Sequence, residues 1–176
     1  MTDKTFVGIV MGSDSDLAAM KDVAKMLEEL GVAYEIRVLS AHRVPEDLVK
    51  WIHDAEKRGC KVFIAGAGMA AALPGTVAAH SALPVIGVPL TSSNSAVGGL
   101  DAMLSIAQMP PGVPVATVGL NGTKNAGVLA AQIIGIGDEA VEQKVATYRE
   151  KQAQGVLDKD KKLQELGYKK YLEGAL

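Results

Sequence analysis

The chain has 176 residues, 48% of them hydrophobic and 22% charged, with a formal net charge of -2. That length suits one domain with a full hydrophobic core, and a weakly acidic chain with no basic block interleaved with aromatics speaks against nucleic acid as a partner. The one cysteine, Cys60, excludes an internal disulfide framework and a cysteine-rich metal site. No apolar stretch reaches the ~18 residues of a membrane span, and the leading MTDKTFVG has no secretory pattern, so a cytoplasmic protein is expected.

Phe6–Met11 is a β-rich run that breaks into Gly12-Ser13-Asp14-Ser15-Asp16. Ser15–Leu30 then carries apolar residues at Leu17, Met20, Val23, Ala24, Leu27 and Leu30, the spacing of a helix, with Gly31 as its C-cap. Tyr34–Leu39 reads as a strand, and Ser40-Ala41-His42-Arg43 lies just beyond it. Pro45 suits a helical first turn, and Leu48, Val49, Ile52 and Ala55 form one apolar face that ends near Gly59. Lys61–Ala65 is a third strand, followed by Gly66-Ala67-Gly68. Met69–Ala79 predicts a short or broken helix, because Pro74 opposes an uninterrupted one.

Pro84–Val88 is a fourth strand, Pro89–Val97 a polar loop, Leu100–Ala107 a short helix, Val113–Val118 a fifth strand and Asn125–Ile134 a small-residue helix. Strands separated by helices predict an α/β fold, a parallel sheet with helices on both faces and all strand-end loops on one edge. After Gly137 the texture turns polar. Asp138–Gln154 and Lys159–Tyr171 read as two charged helices, too poor in apolar residues for a core of their own. The division is therefore 1–137 as the α/β catalytic domain and 138–176 as a helical extension, packed on its own domain or on another subunit.

Four strand-end loops then converge on one crevice: Ser13 to Asp16, Ser40 to Arg43, Gly66 to Met69, and Ser92 to Asn94. His42 is the strongest chemical group, since imidazole titrates near working pH and can move a proton either way. Arg43 offers a two-pronged fork to phosphate or carboxylate. Ser13 and Ser15 can donate to phosphate, or one of them can cap the next helix; Asp16 can accept from ribose hydroxyls, or an aspartate here can do the capping. His80 is a candidate for the crevice, and His53 falls on a surface-like helix. There is no GxxxxGK[ST], no GxGxxG and no histidine pair with metal-ligand spacing. Neither a cofactor nor a metal is expected. A flavin binder or a non-enzymatic nucleotide-binding module is the rival reading.

MGSDSD at Met11–Asp16, SAHRVP at Ser40–Pro45, AGAGMAAALPG at Ala65–Gly75, LPVIGVP at Leu83–Pro89 and GGLDAMLSIAQMPPGVPVAT at Gly98–Thr117 strongly resemble, in order, the PurE family of purine biosynthesis. The resemblance runs from Val7 to about Ile136. It implies a three-layer, flavodoxin-like α/β/α sandwich and a homo-octamer, with C-terminal helices packed on neighbouring subunits. GSDSD and SAHR look like the class that rearranges N5-carboxyaminoimidazole ribonucleotide to 4-carboxyaminoimidazole ribonucleotide; the other class carboxylates aminoimidazole ribonucleotide directly. The third loop departs from the mutase pattern GGAAHLPG, with Ala72 in place of its histidine and added bulk at Met69. By resemblance His42 is the general acid and base. Ser13, Ser40 and Arg43 would hold the ribose phosphate and Asp16 the ribose hydroxyls, with Gly68, Met69, Ala70 and Leu73 also binding substrate.

Overall fold

A computed structural model describes residues 5–174. Five parallel strands, β1 (Phe6–Met11), β2 (Ala33–Val38), β3 (Cys60–Gly68), β4 (Val85–Leu90) and β5 (Ala116–Thr117), form one sheet in the order β2-β1-β3-β4-β5. The helices are α1 (Leu17–Glu29), α2 (Pro45–Lys57), α3 (Ala72–His80), α4 (Leu100–Ala107), α5 (Thr123–Gly135) and α6 (Glu139–Glu173).

Period-two alternation along the strands divides the core between the two faces. Val7, Ile9 and Met11 of β1 point into a cluster with Met20, Val23 and Leu27 of α1 and Ala126, Ala130 and Ile134 of α5. Phe6 and Val10 point the other way, among Leu48, Trp51 and Ile52 of α2, Val77 of α3 and Ile106 of α4. The result is a three-layer α/β/α sandwich. Each fully buried aliphatic or aromatic side chain contributes roughly 1.5–3 kcal/mol. Gly8 makes room on the second face: a Cβ there would lie 2.7 Å from the Phe63 ring, which packs edge-on to Trp51 at 5.4 Å. Trp51 Nε1 donates to Glu35 Oε1 at 2.9 Å, which ties α2 to the edge strand β2.

Local signals fix the helix ends. Past α1 the Gly31 N–H donates to the Glu28 carbonyl and the Val32 N–H to that of Leu27, at 3.1 and 2.8 Å, with Gly31 at φ 71. This is a Schellman stop, and it needs the left-handed residue that glycine supplies. Cys60, at the head of β3, is buried, and desolvation pushes its thiol up to about 11.

Four sequence expectations need correction. The fifth strand is only Ala116–Thr117, not Val113–Val118, because Pro114 has no N–H to give to the ladder. Of the short or broken helix expected at Met69–Ala79 the short one forms, but it starts only at Ala72; it is unbroken because Pro74 falls in its first turn, where backbone N–H groups have no helical partner anyway. A 3-10 turn at Asp14–Asp16 precedes α1, so the first helix does not begin at Ser15. The two C-terminal helices meet at Gly167 (φ 73, ψ 155) within the run Glu139–Glu173, not between Gln154 and Lys159, where the chain stays helical through Gly155. Asp138 caps α6 by accepting from the Val141 N–H at 3.2 Å. Val141 and Val145 anchor its first turns against the core, and Tyr148 packs there too. No described helix is long and apolar enough to cross a membrane.

Candidate functional site

From β1 the chain crosses to β2 on one side, and β3 lies on the other, so the topological switch point falls at the carboxyl ends of β1 and β3. A crevice of about 810 Å³ opens there, walled by loops that follow β1, β2, β3 and β4.

After β1, Ser13 is extended, and its Oγ accepts from the Ser15 N–H at 3.3 Å and from Ser15 Oγ at 2.9 Å. Ser13 therefore performs the capping, and neither aspartate does. The Asp16 carboxylate makes no capping bond and is left half-buried in the crevice wall. Burial raises its pKa above the usual 3.8, and the Ser13 backbone and the Arg43 guanidinium pull against that rise.

After β2, the Leu39 N–H donates to the Met11 carbonyl at 2.8 Å and joins the first two loops. Ser40 Oγ accepts from the Arg43 N–H at 3.3 Å, and Arg43 Nη2 donates to the Gly12 carbonyl at 2.6 Å. His42 lies between Ser40 and Arg43 on this wall, exposed to the crevice.

After β3, Gly68 pairs with Leu90, and a Cβ at Gly68 would lie 3.1 Å from the Leu90 carbonyl oxygen. Met69 follows in the left-handed region at φ 55, with 43% of its surface exposed. Left-handed backbone costs a non-glycine residue about 1–2 kcal/mol. Ala70 and Ala72 line the crevice, whereas Leu73 is buried and shows only its edge.

After β4, Thr91, Ser92, Ser93 and Asn94 complete the wall. This loop is pinned from outside. Asn121, also left-handed at φ 56, accepts from the Thr91 N–H through Oδ1 at 3.0 Å and donates from Nδ2 to Thr91 Oγ1 at 3.0 Å.

The crevice thus brings together Ser13, Asp16, Ser40, His42, Arg43, Gly68, Met69, Ala70 and Leu73. It does not include Gly66 or His80. The His80 ring faces His53 instead, with centroids 6.4 Å apart on the second helical face. Asn121 was not anticipated: its partner lies thirty positions away, and nothing local marks it. Chemically the crevice offers serine and threonine hydroxyls and a guanidinium for a phosphate, a carboxylate for hydroxyl donors, and one imidazole to move a proton. No aromatic side chain lines it to stack on a flavin ring. Among the described residues no group of three His, Cys, Asp or Glu could hold a metal ion.

The N5-carboxyaminoimidazole ribonucleotide mutase of Thermotoga maritima is 54% identical over 166 residues, which cover 94% of this chain and 96% of that protein. The phosphoribosylaminoimidazole carboxylase of Candida glabrata is 49% identical over 170 residues, 97% of this chain but 30% of that longer protein. Treponema denticola PurE superposes with a TM-score of 0.82 at 33% identity, covering 91% of this chain and 99% of that one. Fold and crevice together define a flavodoxin-like α/β/α protein with a carboxyl-edge site suited to a small phosphorylated molecule. The family model described as AIR carboxylase matches residues 6–155, and the chain belongs to this PurE family.

Proposed function

We propose that the protein rearranges N5-carboxyaminoimidazole ribonucleotide to 4-carboxyaminoimidazole ribonucleotide in purine biosynthesis, with His42 as the one general acid and base. The observation that carries this reading is the grouping of His42 with Ser13, Asp16, Ser40 and Arg43 on one side of a single crevice. A proton carrier beside a phosphate and ribose cradle fits a ribonucleotide whose carbamate nitrogen must gain a proton and whose ring C4 must then lose one. Family membership and the likeness to the Thermotoga maritima mutase support the same choice of reaction.

Ser13, Ser40 and Arg43 hold the phosphate, and Asp16 accepts from the ribose hydroxyls. This places the imidazole ring of the substrate near His42 and the small residues Gly68 and Ala70. Protonated His42 gives its proton to the carbamate nitrogen. The N–C bond breaks, its electron pair stays on nitrogen, and carbon dioxide is freed. Ring C4 attacks the carbon of that carbon dioxide and forms the new C–C bond. Neutral His42 then takes the C4 proton, which restores the aromatic ring and returns the histidine to its starting form. One group serves both steps because donation and acceptance alternate.

The working form is a homo-oligomer, for which an octamer is proposed. Val156, Leu157, Leu166 and Leu172 of α6 are more than two-fifths exposed and stand ready for neighbouring subunits.

The test supplies purified protein with the N5-carboxylated ribonucleotide and, in parallel, with aminoimidazole ribonucleotide plus bicarbonate or carbon dioxide. Product is followed by absorbance. Efficient use of the first substrate, reduced roughly 10²–10⁴-fold in His42→Asn with the thermal midpoint unchanged, is the expected result. Efficient use of only the second would establish a direct carboxylase. Turnover of neither would overturn the assignment.

A further inference from the structure

We propose that Met69 is an apolar cover over the reacting ring, and that it determines how much of the freed carbon dioxide is recaptured by C4 rather than lost to solvent; this rests on the reaction assigned above. Two described non-glycine residues have left-handed backbone, Met69 and Asn121. Asn121 has a local reason, since its side chain bonds Thr91 from that conformation. Met69 has no polar side chain to compensate, and glycine would adopt φ 55 freely. Backbone strain of this kind gathers where function requires a side chain in a particular place.

Met69 is exposed in this turn together with Ala70 and Ala72, and it is the one of the three with a long side chain. The neighbouring Ala67, Ala71 and Leu73 are buried at 8%, 2% and 3%, whereas Met69 is 43% exposed at the crevice wall. The rest of that wall consists of hydroxyls, an amide, a carboxylate, a guanidinium, an imidazole, glycine backbone and alanine methyls, with the buried edge of Leu73. Met69 is the one long apolar side chain among them with free surface.

Carbon dioxide cannot donate a hydrogen bond and accepts one only weakly, so a crevice lined by hydroxyls and open to water has little to hold it back. A thioether chain laid over the ring excludes water and keeps the gas against C4. The unbranched methionine side chain can swing aside to admit substrate and then settle on it.

The experiment gives the full-length protein N5-carboxyaminoimidazole ribonucleotide labelled with 13C in its carboxylate, in buffer holding unlabelled bicarbonate. It measures labelled product, unlabelled product and free aminoimidazole ribonucleotide at a single turnover. Wild type is expected to keep most of its label. Met69→Gly, which relaxes the backbone and removes the cover, should release several-fold more aminoimidazole ribonucleotide per product formed. Met69→Ser should do the same, and Met69→Leu should keep the label. An unchanged partition in Met69→Gly or Met69→Ser overturns the proposal while leaving the reaction assignment standing. So does a variant that stays folded by thermal melt yet loses turnover without releasing free ribonucleotide. Failure of the wild type to convert the substrate removes the reaction assignment, and this inference with it.

Discussion

On the β1 and β2 side of the crevice the loops are sewn together by their own polar groups: Arg43 Nη2 reaches the Gly12 carbonyl, Ser40 Oγ holds the Arg43 N–H, and Ser13 Oγ holds Ser15. On the β3 and β4 side the wall is apolar at Gly68–Ala72 and small there except for Met69, and its hydroxyl loop is fastened from behind by Asn121. On the proposed reading, the first wall uses the same groups for its own integrity and for the ligand. The second is fastened by Asn121, which lies outside the crevice, and of the residues that line this wall only Thr91 takes that fastening. Changes on the first wall should therefore alter folding and binding together, and changes on the second should separate them.

The largest test of that difference is Arg43→Ala. Loss of a charged donor removes roughly 1.5–3 kcal/mol, or about 10–100-fold in KM, and the lost Gly12 bond should lower Tm in the same variant. Steady-state kinetics and a thermal melt check both. A raised KM with an unchanged Tm would show that the two walls do not differ in this way.

Asn121→Ala should act more weakly. It removes the Thr91 contacts and costs about 1 kcal/mol, or roughly 2–4 °C in Tm. The rate should fall a few-fold as the Thr91–Asn94 loop loosens. Asn121→Gly keeps the backbone freedom and loses only the clamp, so an equal rate loss in both variants assigns the effect to the side chain.

The smallest effect belongs to Asp16. Its pKa is raised in the folded protein by burial, so the folded state binds the proton more tightly than the unfolded chain does. Stability contributed by this group therefore falls as pH rises from the unfolded pKa through the folded one, and stays low above it. Asp16→Asn should raise Tm slightly at neutral pH, with the gain vanishing in acid, while KM for the ribonucleotide rises. Melts across pH, paired with kinetics, measure this. A lowered Tm at neutral pH would mean that the carboxylate stabilises the empty wall.

The first wall was legible because its chemistry is local: GSDSD and SAHR each follow an apolar strand, and parallel topology brings the two together. The second was legible only in part. Gly66 to Met69 was read as a strand-end loop, yet β3 runs on through Gly68, and the left-handed turn falls on a methionine that no glycine rule marks. Asn121 acts through a side-chain contact across thirty positions, which no periodicity encodes. The same limit explains α6. Gly155 lies between the helices expected at Asp138–Gln154 and Lys159–Tyr171 yet stays helical, because a single glycine costs a helix only about 1 kcal/mol. Gly167 is a break because its backbone leaves the helical region altogether.

Cys60 has a practical consequence. With its thiol held near 11 and only 2% of its surface exposed, about one part in 10⁴ is thiolate at neutral pH. A maleimide dye or spin label added to the folded protein should pass over it. Cysteines placed at exposed Lys151 and Lys161 of α6 would then carry the only two probes, and the distance between them would follow the course of that long segment without first removing the native thiol.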